Sequence, residues 1–463
     1  MIMNSSISFF KKLQHIIPAL GYGLSFSKKA GFKPPPLVKA WAIIKTGRGI
    51  LCIYISFLIP LFSFSQNNIT SSQFLATALK DEAILYNDRL VDFLKNTDHK
   101  LPWAEELEFR TETDEMDLNR QEYLMRFRYR TKAEINAHRN LHQSDIQLQE
   151  LEKKALFEEV VMGHYFLLVQ YVTLHRQLDI LKQQQLVAVD KLNVLRKKAA
   201  ALADVDVNDL LNAENKNHEL ELEIMEREGA LNQIIKIITT IFNSTENIQL
   251  DTSNFLDIID IKEKRQLLSE NFSVSPILSE RRLQIEKTEL EQELEKAKNN
   301  WQVDYVQFKV AGRDKVNFAR EWSFGLGMEI PLKDANKLSN NKIMLERLEL
   351  ENKLALQQLA LAKKIQEAVE ELELKIKMHE LVARQLADSQ LQYSFDNYAQ
   401  SKDADPLVLL NIKSNILKRK ADRLAIEKDI YSLYLEIVEL TGKAVEMPLR
   451  NYLSKEWDII SVN

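Results

Sequence analysis

His138 and His142 stand four residues apart in a helix-like stretch, so both imidazoles fall on one helix face and could share a metal ion. The sequence offers no third ligand beside them, and a pair at this spacing is not a complete site. His164, His175 and His379 are read as filling positions between helices. Carboxylates gather in two short turns, ADVDVNDLLNAE (Ala203 to Glu214) and SKDADPLVLLN (Ser401 to Asn411). Asp204, Asp206, Asp209, Asp403 and Asp405 could concentrate cations there, or could simply form turns and cap helices. The single cysteine, Cys52, lies in an apolar run near the start of the chain. There is no glycine-rich phosphate loop, no HExxH and no nucleophile motif. No enzyme is expected, and no cofactor or metal.

The elements that carry these groups are long. Glycine (11) and proline (10) are sparse among 463 residues, and no proline occurs between Pro102 and Pro276 or between Pro331 and Pro406. Two very long segments therefore lack the strongest helix breaker. Residues 1–65 differ from the rest: they hold basic side chains and no Asp or Glu. GILCIYISFLIPLFSF (Gly49 to Phe64) follows Lys45 and Arg48 and runs into Ser65 and Gln66. Basic flank, short apolar core and small residues make this a secretory signal, with a mature start expected near Gln66. A membrane anchor is the alternative, but the run is short for a span and contains Pro60. N-terminal sequencing of the membrane-bound protein decides between them; a stable product retaining Cys52 would exclude this cleavage. With the basic leader removed, the remainder is acidic, and nucleic acid is not an expected partner.

One offset recurs along the chain. Leu107, Phe109 and Thr111 alternate with Glu108 and Arg110, and 199 positions later Val306, Phe308 and Val310 alternate with Gln307 and Lys309. Tyr123, Met125, Phe127 and Tyr129 correspond at the same offset to Trp322, Phe324, Leu326 and Met328. Leu210-Leu211-Asn212 becomes Leu409-Leu410-Asn411, and Asn243 becomes Gly442, both suited to ending a helix in the left-handed region. The spacing predicts two tandem repeats of helix, strand, strand, long helix, helix. The first long helix should start at the capping box Thr131-Lys132-Ala133-Glu134 and run to about Ala199; the second should run from Asp334 to about Ser401. Each is ~100 Å of rod. Ile365, Val369, Leu372 and Ile376 form one stripe on the second, while Leu356, Leu374 and Leu381 lie off it and suggest a further packed flank.

The rods alone suit a soluble coiled coil. WSFGLGMEIPL (Trp322 to Leu332) does not: its large residues alternate with Ser, Gly, Gly and Glu until Pro331. Such a strand fits a small sheet packed on helices, and it equally fits a membrane-spanning strand of about 9 to 11 residues. Export and the repetition of the hairpin favour the membrane. A sheet in a bilayer must close, and four strands cannot, so copies must combine.

On these hairpins, the proline-free rods and the two aspartate-bearing turns, the chain resembles the TolC-type outer-membrane efflux proteins. The resemblance implies a homotrimer whose 12-stranded β-barrel in outer-membrane lipid continues as a periplasmic α-helical barrel. It also implies a periplasmic adaptor (membrane fusion) protein and an inner-membrane pump as partners, in efflux or type I secretion. Trp322, Phe324, Leu326 and Met328 would face lipid, and Asp204, Asp206, Asp209, Asp403 and Asp405 would lie at the periplasmic entrance. The first hairpin departs from expectation in its charge: Glu105, Glu106, Glu108, Arg110 and Glu112, then Arg126, Arg128 and Arg130. The divisions are 1–65 leader, 66–250 first repeat, 251–274 equatorial linker, 275–445 second repeat and 446–463 tail. The competing reading is a periplasmic coiled-coil adaptor or scaffold.

Overall fold

The computed structural model describes residues 68–97, 99–113, 121–201, 206–244, 248–269, 275–298, 302–311, 321–329, 337–387, 398–400 and 405–460. The leader with Cys52, and Asp204, Asp403, Ile330, Pro331 and Asp334, lie outside them.

Strand β1 (Asn68–Thr70) leads into helix α1 (Ser71–Ala76), a 3-10 turn and helix α2 (Glu82–Asn96). Strands β2 (Ala104–Thr113) and β3 (Gln121–Tyr129) follow, then the long helix α3 (Lys132–Ala200) and its return α4 (Val207–Ile241). After β4 (Gln249–Asp251) and α5 (Ile258–Ser269), the plan repeats: α6 (Pro276–Lys298), β5 (Gln302–Ala311), β6 (Glu321–Glu329), α7 (Lys337–Ala387) and α8 (Pro406–Leu440). Helices α4 and α8 each have 35 residues and begin at Val207 and Pro406, the offset read from the sequence. Each is capped by an aspartate, Asp206 or Asp405, and followed by a left-handed residue, Asn243 (φ 49) or Gly442 (φ 69).

Helix α3 has 69 residues because nothing between Thr131 and Ala200 breaks it. Its expected capping box is only half made. Thr131 accepts from the Glu134 N–H, but the Glu134 carboxylate reaches Arg130 at 3.5 Å, a charged partner that outcompetes the Thr131 amide. The full reciprocal box forms instead at Thr70 and Gln73. On α7 the described helix ends at Ala387, and the continuation expected toward Ser401 falls largely on residues outside the description. Ile365, Leu372 and Ile376 are buried, whereas Leu356, Leu374 and Leu381 are exposed, so the second flank has no cover among the described residues.

Around the middle of the rods the chain is thick. Helix α1, β1 paired in parallel with β4, and the segment after α8 pack on α3 and α8 in one core that includes Phe74, Tyr165, Leu256, Tyr434 and Leu453. A buried polar set binds the C-terminal segment to it. Tyr165 donates to the Arg450 carbonyl at 2.7 Å and accepts from the Tyr452 N–H at 3.0 Å, while the Asn451 amide donates to Ser71 and Ser72 at 2.9 and 3.0 Å. Pairing these groups avoids the desolvation penalty that unpaired buried polar groups carry.

Candidate functional site

The four long strands form one antiparallel sheet in the order β2-β3-β5-β6. Its register assembles an apolar face. Phe109, Met125, Phe308 and Phe324 lie in one row across all four strands, and Leu107, Phe127, Val306 and Leu326 in the next. Phe109 and Phe324 are 67% and 69% exposed, with Trp322, Leu326 and Met328 above half. A sheet face of aromatic and aliphatic residues left this open is an interaction surface. Each hairpin shifts its register at the corresponding place, Ala104/Glu106 in one and Val303/Tyr305 in the other.

The opposite face holds the charges that looked out of place in the sequence, and the strands pair them. Arg126 meets Glu108 at 3.1 Å, Arg128 meets Glu106 at 3.3 Å and Asp304 at 3.4 Å, and Lys309 meets Glu122 at 2.5 Å. Arg126 also donates to Gln307 at 3.2 Å and stacks over Tyr305 at 4.4 Å. Tyr305 itself lies across Gly327, where an added Cβ would come within 2.3 Å of the ring. Any larger residue there would have to displace the tyrosine that braces Arg126. At the neighbouring Gly325 such a Cβ would make only an ordinary contact, 3.6 Å from Gln307. Strands β2 and β6 are the sheet's two edges, and among the described residues neither has a strand on its outer side.

At the far end of the rods, Asp206 accepts from the Asn208 N–H at 2.9 Å and Asp405 from the Leu407 N–H at 3.0 Å. Asp209 lies in the first turn of α4, where its charge complements the helix N-terminus. Asp405 has a second partner: both its oxygens lie within 3.1 Å of Lys198 Nζ, near the end of α3. The cap hydrogen bond first, and Lys198 second, hold its carboxyl below the usual range. Arg196 similarly meets Glu214 at 2.7 Å, and Lys191 donates to Asn411 at 3.1 Å. Sequence reasoning singled out the aspartates and missed Lys198, whose partner is 207 residues away.

The histidines are held by other contacts. His142 donates to the Leu94 carbonyl at 3.1 Å and lies against the His99 ring, 3.8 Å between centroids. His164 and His379 are buried between helices, His379 at 3.0 Å from Glu427. Among the described residues no group of three His, Cys, Asp or Glu side chains is placed to hold a metal, and no helix is long and apolar enough to cross a membrane.

No protein-family model matches the chain, and no curated protein matches it in sequence. Its structure has clear counterparts. The fold is that of the TolC-type outer-membrane channels. CusC superimposes with a TM-score of 0.60 at 12% identity, over 80% of this chain and 92% of that one. The outer-membrane protein VceC of Vibrio cholerae gives 0.56 at 11%, over 80% and 96%. The MtrE outer-membrane channel of Neisseria gonorrhoeae, in its open state, gives 0.58 at 10%, over 80% and 88%.

Proposed function

We propose that the chain is the outer-membrane channel-tunnel of a tripartite efflux or type I secretion system. Three copies would set twelve strands in the outer membrane and continue them as a helical tunnel through the periplasm, receiving substrate from an adaptor and an inner-membrane pump. The observation that carries this reading is the sheet: one face apolar and exposed, the other polar and ion-paired, with an edge on each side that no described strand of the chain covers. Strands β2 and β6 run in opposite directions, so the β6 edge of one copy can pair with the β2 edge of the next, and repetition closes the ring without an open edge in lipid. Trp322, Phe324, Leu326 and Met328 then face hydrocarbon, and Arg126, Arg128 and Lys309 line the lumen. A periplasmic adaptor would have no use for such a face. Fractionation separates the two readings: the channel remains with outer-membrane trimers after a high-salt wash, whereas an adaptor is recovered elsewhere.

The rod ends are proposed as the periplasmic entrance, with Asp204, Asp206, Asp209, Asp403 and Asp405 around it. Lys198 and Asp405 join the first repeat to the second, so an opening that separates the two helical hairpins must break that pair. Asp405→Asn keeps an oxygen for the Leu407 N–H and removes the charge that holds Lys198. The expected result is a trimer of normal yield whose closed state is less populated, seen as more frequent openings in planar bilayers. Unchanged gating in Asp405→Asn would reduce Asp405 to a helix cap.

A further inference from the structure

The register of the sheet fixes how tall its apolar face is, and the inference drawn from that height rests on the membrane reading of the face. On strand β3 the face runs through Tyr123, Met125, Phe127 and Tyr129. The two middle rows, Phe109 with Met125, Phe308 and Phe324, and Leu107 with Phe127, Val306 and Leu326, hold nothing but Leu, Val, Met and Phe. Aromatic rings with a polar edge bound these rows on both sides. Tyr123 lies level with Trp322 through Val310, and Trp322 rests against Phe308 at 4.7 Å between ring centroids. At the other boundary Tyr129 pairs with Ala104, and Trp103, 66% exposed, lies against Phe127 at 4.8 Å. Tyrosine and tryptophan settle at membrane–water interfaces, so these two levels mark where hydrocarbon begins and ends.

Polar groups close in immediately beyond both levels. Past Tyr123, Gln121 stands opposite Thr113, and its amide donates to Thr111 Oγ1 at 2.9 Å. Past Tyr129, the Arg130 guanidinium lies 3.5 Å from both Glu105 and Glu134, and Thr131 caps α3. A charged helix start does not belong in hydrocarbon. The six residue steps from Tyr123 to Tyr129 rise ~20 Å along the strand, at about 3.3 Å each. A strand tilt of ~40° leaves roughly 15 Å along the membrane normal, or about 20 Å with one further residue at each end, where outer-membrane barrels ordinarily present about 25 Å. The shortfall is close to one row of side chains. We propose that this face is matched to a thin bilayer, and that the assembled barrel prefers lipid with short acyl chains to lipid of ordinary chain length. A thicker membrane must compress around so short a face, which costs free energy for every ångström of mismatch.

Purified protein reconstituted in vesicles of a monounsaturated phosphatidylcholine series, dimyristoleoyl, dipalmitoleoyl, dioleoyl and dierucoyl, tests the match. The temperature at which the trimer dissociates on a gel should be highest in the shortest lipid and fall at each longer one. Thr113→Leu with Gln121→Leu adds apolar side chains at the next level of β2 and β3, and should move the optimum to a longer chain. A wild-type maximum in dioleoyl or dierucoyl lipid, or equal stability throughout the series, would overturn the inference, as would a variant that keeps the wild-type optimum. If the variant does not assemble, the wild-type series decides alone. Trimers that insert and conduct with no preference for short chains would overturn the thin-bilayer match and leave the channel reading intact. Protein that inserts in none of these lipids would overturn both.

Discussion

Leu326→Arg should lose membrane assembly, whereas Gly325→Arg, one residue away, should keep it. Leu326 lies near the middle of β6 in the apolar row with Val306, Phe127 and Leu107. If that row faces hydrocarbon, an arginine there costs about 2 to 4 kcal/mol at the bilayer midplane. In the proposed trimer, three copies in one barrel would triple the burden. Gly325 points to the polar face beside Gln307 and has room for a side chain. Its arginine would reach into the lumen, where it alters conductance instead of stability. Heat-resistant trimer on a gel, measured for both variants, reads the difference directly. Equal losses would mean that the two faces of β6 are not lipid and water.

Glu158→Gln should remove a large part of the protein's pH dependence. Glu158 is 8% exposed on α3, and its Oε1 has no hydrogen-bond partner among the described residues. Burial, reinforced by the charge of Glu439 on α8 and opposed by Lys154, pushes its carboxyl up to about 7. A carboxyl whose pKa is higher folded than unfolded stabilises the fold fully below the unfolded value and loses that stabilisation as pH rises through the folded one. The window is therefore from about pH 4.5 to about pH 7. The loss is on the order of 3 kcal/mol per protomer, since each tenfold change in proton affinity is worth about 1.4 kcal/mol. Glutamine retains the shape and cannot ionise. Thermal unfolding in detergent should show wild type falling between pH 5 and pH 8, with Glu158→Gln much flatter and the more stable of the two at pH 8. Parallel slopes would show that Glu158 is solvated in the assembled protein.

How far the sequence foretold these features depends on the range of the interactions that set them. Helix lengths and ends follow from local chemistry, so the missing prolines, the caps at Asp206 and Asp405 and the left-handed Asn243 and Gly442 were all legible. Strand faces follow from alternation, and Trp322, Phe324, Leu326 and Met328 do share one face. The charge of the first hairpin could not be interpreted from one strand at a time. It became orderly only when register set Glu106 and Glu108 against Arg128 and Arg126. Gly327 looked interchangeable with Gly325 until Tyr305 was found lying on it. Lys198 and the buried C-terminal segment were illegible for a similar reason. Their partners are hundreds of residues away, and nothing in the composition of either stretch marks it as joined to another.

The central claim is that copies of this chain close into a pore, and single-channel recording of the purified protein in planar bilayers tests it most directly. Insertion of native trimers should give discrete conductance steps of uniform size, each step one trimer, with Gly325→Arg changing the step and leaving insertion frequency intact. Trimers that are demonstrably embedded in the bilayer and pass no current under any voltage or pH would contradict the claim, as would conductance from protein that is monomeric by native mass.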